Sequence, residues 1–171
     1  MPKIKKTLVR ISALAVLASP FYALSANAQV LDLSCKRPID IGNLIATGCS
    51  AKYIIAPDNA HADTGCLIFN NMAVAGSCTL RVLGPAATKS AVVTFQKAFF
   101  NISGSKGGVA TMTDLRMKNR TQPTITPTLT IPPTTLNAGT INIDIGGSLN
   151  YDNGQAEGTY SGKVAISANF N

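Results

Sequence analysis

From Thr159 to Phe170 the chain alternates without a break: Tyr160, Gly162, Val164, Ile166, Ala168 and Phe170 fall on one face, and Thr159, Ser161, Lys163, Ala165, Ser167 and Asn169 on the other. Successive side chains of a strand point to opposite faces, so a mostly apolar row with a period of two predicts a half-buried β-strand. Ile141, Ile143 and Ile145 repeat the pattern between Thr140, Asn142 and Asp144. Asp152-Asn153-Gly154, lying between the two segments, supplies a reversal.

The same reading extends upstream. Ile39 and Ile41 precede Gly42; Tyr53-Ile54-Ile55 precedes a Pro57-Asp58-Asn59 turn; Leu80 and Val82 stop at Gly84-Pro85. Val92, Val93, Phe95, Phe99 and Phe100 form one longer apolar segment ending near Gly104, and Val109 to Met117 is a further strand. No helical period of useful length occurs after residue 28, and only 13% of residues are charged, about half the usual quarter. An all-β, immunoglobulin-like β-sandwich of about eight to ten strands is expected. Residues 121–135 carry seven Thr and four Pro. Ile125, Pro127, Leu129 and Ile131 alternate with Thr there, and Pro127 lacks an N–H, so this stretch reads as an edge strand rather than a linker.

Residues 1–28 are expected to be removed. Lys3, Lys5, Lys6 and Arg10 precede an apolar stretch from Ile11 to about Leu24, and Ala26-Asn27-Ala28 offers a cleavage site before Gln29. That is the plan of a secretory signal peptide; the apolar stretch is short for a membrane anchor and contains Pro20. The mature chain, 29–171, is then one exported domain with no transmembrane segment, found in the periplasm, at the cell surface or outside the cell. Four of the 15 basic residues and none of the 8 acidic ones leave with the signal, reducing the net charge from +7 to +3. Arg116, Lys118 and Arg120 share one strand face, which reads as solvated. A nucleic-acid partner would want a larger patch interleaved with aromatics. Cys35, Cys49, Cys66 and Cys78 in an exported chain predict two disulfides. Their pairing is open, with Cys35–Cys49 and Cys66–Cys78 closing the shortest loops.

Groups for catalysis are sparse. His61, the only His, lies between Asp58 and Asp63 in what reads as a polar surface loop, and Glu157 is the only Glu. Ser103-Gly104-Ser105-Lys106-Gly107-Gly108 lacks phosphate-loop spacing and reads as a hairpin loop; no Gly-x-Ser-x-Gly elbow is present. No enzyme, metal site or cofactor is expected. Asn101-Ile102-Ser103 and Asn119-Arg120-Thr121 match the glycosylation sequon.

More specific is the run Asn142-Ile143-Asp144-Ile145-Gly146-Gly147-Ser148-Leu149-Asn150-Tyr151, followed by Gly158-Thr159-Tyr160-Ser161-Gly162. Its Gly-Gly-x-Leu and Gly-x-Tyr-x-Gly elements resemble the C-terminus of the DUF4402 family of secreted bacterial β-sandwich proteins. Ile39-Asp40-Ile41-Gly42 is similar to that family's N-terminal element, with Ile41 in place of the usual Phe. The ending also resembles chaperone–usher pilus subunits, with Gly158 near the start of the last strand and Phe170 penultimate. The pilus resemblance implies an assembly strand carrying Gly158, Tyr160, Gly162, Val164, Ile166 and Phe170. It also implies a donor segment at 29–34 with Leu31 and Leu33 as pocket fillers, and as partners a periplasmic chaperone, an outer-membrane usher and further subunits. Two features depart from it: 29–34 is short for a donor, and those subunits usually hold a single disulfide. A structural or adhesive surface protein of a Gram-negative bacterium is the leading expectation. A self-contained module binding a small ligand or glycan through 57–65 or 103–108 is the alternative.

Overall fold

A computed structural model describes residues 28–46, 49–64, 67–69, 73–152 and 154–171. Two extended ribbons organise it. The first is β1 (Val30–Arg37), Pro38 and β2 (Ile39–Ala46). Then come β3 (Ala51–Ile55), β4 (His61–Thr64), β5 (Leu67–Phe69), β6 (Gly76–Leu83), β7 (Ala91–Phe95), β8 (Phe100–Gly104), β9 (Val109–Asn119) and β10 (Thr128–Ile131). A short helix α1 (Pro133–Asn137) leads to β11 (Ile141–Tyr151), and the second ribbon is β12 (Gly158–Gly162) followed by β13 (Ile166–Phe170).

One sheet has 10 strands in the order β1-β6-β11-β9-β8-β12-β2-β5, with β3 and β4 branching from β11; the other has 3, in the order β10-β7-β13. Every pairing within them is antiparallel. One cluster of buried side chains joins the sheets: Val93, Leu129, Ile131 and Ile166 from the small sheet meet Leu44, Leu80, Ile143 and Tyr160 from the large one. The sandwich is therefore all-β, as the alternation predicts.

Several local expectations are corrected. The C-terminal ribbon is not one strand: it turns at Lys163-Val164-Ala165, with β12 in the large sheet and β13 in the small one. Its buried face nonetheless continues through the corner, since Tyr160, Val164 and Ile166 are all buried. Alternation encodes the face and says nothing of the neighbour, so a strand that changes sheets keeps its pattern. The apolar run 92–100 likewise divides into β7 and β8, again in different sheets. His61 to Asp63 is exposed but belongs to strand β4 rather than a loop. β10 is the expected edge strand, with Leu129 and Ile131 buried, whereas Ile125 is exposed. Helix α1, begun by Pro132-Pro133, was not legible because five residues offer no period to read.

The disulfide expectation changes too. Cys35 bonds Cys78, closing a separation of 43 residues, so neither short-loop pairing holds. It is the one disulfide with both cysteines among the described residues; Cys49 is disulfide-bonded as well, and Cys66 lies outside the described residues. Strand pairing explains the choice, because β1 lies antiparallel on β6 with Cys35 directly opposite Cys78.

Candidate functional site

The C-terminal motif is built around two tyrosines. Tyr151 at the end of β11 and Tyr160 on β12 are fully buried, and their rings meet edge-to-face with centroids 5.8 Å apart. Each hydroxyl donates to a backbone carbonyl four residues away, Tyr151 to Gln155 and Tyr160 to Ala156. Burial pushes the Tyr151 hydroxyl up to about 12, with the neighbouring Tyr160 adding to the effect; burial also raises Tyr160. The glycines of this region give the rings room. A Cβ on Gly104 would sit 2.7 Å from Tyr160 Cζ, and one on Gly108 would strike the Tyr160 hydroxyl. At Gly146 a Cβ would run into the Ile55 carbonyl and the Ala56-Pro57 peptide. Gly42 takes φ 75° at a bulge where β2 carries one residue more than β12 between Asp40 and Gly42, the conformation that favours glycine there. The motif residues Gly158, Tyr160 and Gly162 thus lie on β12, inside the large sheet between β2 and β8.

Of the remaining assembly-strand residues, Val164 is buried at the corner between the strands, while Ile166 and Phe170 lie on β13, an edge of the small sheet. Gln96 N–H donates to the Ala165 carbonyl and Asn171 N–H to the Ser90 carbonyl, at 3.0 and 2.9 Å. In an antiparallel ladder the bonded residues alternate, so Ser167 and Asn169 also face β7 while Ile166, Ala168 and Phe170 turn their N–H and C=O groups outward. Among the described residues no strand pairs with that outer edge. β1 runs close beside it. Half-buried Leu31, Leu33, Ala168 and Phe170 pack on the core from the two sides of this seam. The candidate donor residues Leu31 and Leu33 therefore occupy their own chain: they sit on β1, opposite Val82 and Leu80 of β6. Asp32 and Arg81 form an ion pair at 2.6 Å in the same ladder.

The loops singled out in the sequence hold less. Asp58 is 3.7 Å from Lys118, His61 stacks on Tyr53 with centroids 6.0 Å apart, and Asp63 stands opposite Tyr53 in the β3–β4 ladder. These groups do not converge. No group of three or more His, Cys, Asp or Glu is placed to hold a metal among the described residues. Tyr53 is raised above its usual range by burial and by Asp63. Of the basic triad, Arg120 makes a two-pronged bond to Asp144 at 2.6 and 2.8 Å, which holds its guanidinium above its usual range, and Lys118 meets Asp58. Two of the three charges are thus paired with carboxylates. An open cleft of about 520 Å³ lies where β7 and β10 approach the β9 bulge, lined by Phe95, Lys97, Asp114, Leu115, Arg116 and Pro127 among others. Its residues come from three distant segments, and no single motif signals it. Of the two sequons, Asn101 is exposed and Asn119 is wholly buried. Asn119 accepts two bonds from Thr121 at its side-chain oxygen and leaves Nδ2 without a partner. Among the described residues no helix is long and apolar enough to cross a membrane.

No curated protein and no solved structure matches the chain. A family model described as "Domain of unknown function (DUF4402)" matches residues 31–170, from β1 to the last residue of β13. That span includes the Gly-Gly-x-Leu strand, the Gly-x-Tyr-x-Gly strand and the bulged Ile41-Gly42 element, and the chain belongs to the DUF4402 family.

Proposed function

We propose that this is an exported, non-enzymatic structural or adhesive surface protein that assembles by β-strand addition at the free edge of β13. One observation carries the reading: among the described residues no strand pairs with the outward N–H and C=O groups of Ile166, Ala168 and Phe170, which lie beside a half-buried apolar seam. Main-chain bonds at such an edge give affinity, and alternate side chains entering the seam give register. A free edge is also an aggregation hazard that proteins usually cover, which favours a role for a covering strand. On this reading the strand is supplied first by a periplasmic chaperone and then, at an outer-membrane usher, by another subunit. A second reading has its own support. β1 is already seated in cis, and the open cleft beside Lys97 and Arg116 would suit a ligand in a self-contained binding module.

The substitution Ala168→Pro removes an outward N–H and leaves the β7 ladder intact, a change edge strands tolerate. Material sheared from cells is run in detergent containing a thiol reductant, with and without boiling, so that only non-covalent strand pairing can hold a ladder. The wild type is expected to give a ladder that collapses on boiling, and Ala168→Pro, folded by circular dichroism, monomer alone. An unchanged ladder from Ala168→Pro overturns the edge assignment. Monomer from the wild type under both conditions favours the binding module.

A further inference from the structure

We propose that the Cys35–Cys78 pair decides whether β1 closes onto its own chain or joins two copies, with a second copy's β1 entering the place between β6 and β13. This deepens the edge-addition reading and rests on it for the place of entry. Among the described residues β1 is hydrogen-bonded on one side only, by β6, and a single residue, Pro38, separates it from β2. The contacts that seat it are Leu31 opposite Val82, Leu33 opposite Leu80, and the Asp32–Arg81 ion pair. All of them are reproduced when β6 belongs to another copy. Exchange changes which chain supplies the strand and leaves the contacts the same, the condition under which swapping is inexpensive.

Linkage then sets the outcome. A tethered strand sees its own site at an effective concentration on the order of mM, so dilute chains close in cis and concentrated, unlinked ones exchange. The disulfide makes either choice permanent. Its formation takes two electrons and two protons from the thiols, and a disulfide oxidant such as glutathione disulfide receives them as two thiols.

With the chain cleaved before Gln29, a Cys35 bonded in cis to Cys78 leaves only 29–34 free to move, six residues or about 20 Å extended. Seating five of them along the five-residue β13 uses about 17 Å, and the remainder is less than one strand spacing of about 4.8 Å. Freed of the bond, 29–37 reaches about 30 Å, enough to cross to a neighbour. The short donor segment is short because the disulfide ends it.

The test refolds reduced wild-type chains labelled with nitrogen-14 and nitrogen-15 together, at about 1 mM, in a glutathione buffer. Monomers and multimers are separated and digested without reduction, and the Cys35–Cys78 peptides are weighed. Unmixed linkages in the monomer and mixed ones in the multimer are expected. Multimers with only unmixed linkages, or no multimers at all, overturn the proposal. In parallel, the Cys35→Ser/Cys78→Ser chain should multimerise with rising concentration while folded, oxidised wild type stays monomeric; equal multimerisation of the two overturns the lock. The same labelling on Ala168→Pro separates the two ideas. Mixed linkages there leave exchange standing and count against the β13 edge; loss of the surface ladder with no mixing in the wild type keeps the edge and removes β1 as the incoming strand.

Discussion

A methyl group at Gly108 would fall against the Tyr160 hydroxyl, and so the smallest substitution in this loop tests a fully buried ring of the C-terminal motif. Gly108→Ala should cost about 1–3 kcal/mol in urea unfolding, through overpacking. Combined with Tyr160→Phe, which removes the struck oxygen, it should cost less than the two singles added together, the signature of direct contact. The tyrosines also set a pH response. An unfolded tyrosine releases its proton near 10, whereas Tyr151 keeps it until about 12. The folded state therefore binds more protons between those values, and the contribution, fully present below pH 10, is lost as pH rises toward 12. Two units correspond to roughly 2–3 kcal/mol. Urea unfolding across pH 9–12 should show this decline, and Tyr151→Phe should lessen it, leaving the share that the buried Tyr160 contributes. That Tyr160 sits in a Gly-x-Tyr-x-Gly strand is plain in the sequence. That Gly104 and Gly108, more than fifty residues earlier, make its pocket is not, because that contact depends on which strands become neighbours.

At the scale of elements, period-two alternation located most strands and their inward faces. Ile141, Ile143 and Ile145 are buried, as are Leu129 and Ile131. It failed where a ribbon changes sheets, at 163–165 and at 96–99, because an apolar row looks the same whichever sheet it faces. The hidden face of β13 remains the sharpest check on this reading. Ile166 is only 7% exposed, and a carboxylate there would be taken out of water. Ile166→Asp should cost about 3 kcal/mol or more and abolish surface assembly, while Asn169→Asp on the exposed side should leave both nearly unchanged. Thermal unfolding and the sheared-cell gel read the two effects separately. Of the candidate site, the residues were legible and their arrangement was not: Leu31 and Leu33 alternate as a donor would, yet they are a strand of their own sheet.

Considered whole, the molecule is tied at its two ends. β1 is fastened to β6 by the Cys35–Cys78 bond, and among the described residues β13 is held on one side only, by β7. Closing 43 residues restricts the unfolded chain by about 4 kcal/mol in the loop-entropy account. Cys35→Ser/Cys78→Ser should lower the melting temperature of the dilute monomer by about 10 °C, measured by scanning calorimetry. The pairing was not readable from spacing, since it follows from the β1–β6 register rather than from loop length.

The burial of Asn119 carries a consequence for producing the chain outside bacteria. A eukaryotic secretory pathway attaches sugar to the amide nitrogen of a sequon while the chain is still unfolded. On Asn101 such a sugar would project into solvent. On Asn119 it would sit on an atom that the finished fold encloses, so every molecule decorated there would be barred from closing its sandwich. The yield of folded protein from such a host would then track the fraction of chains that escape decoration at that one nitrogen.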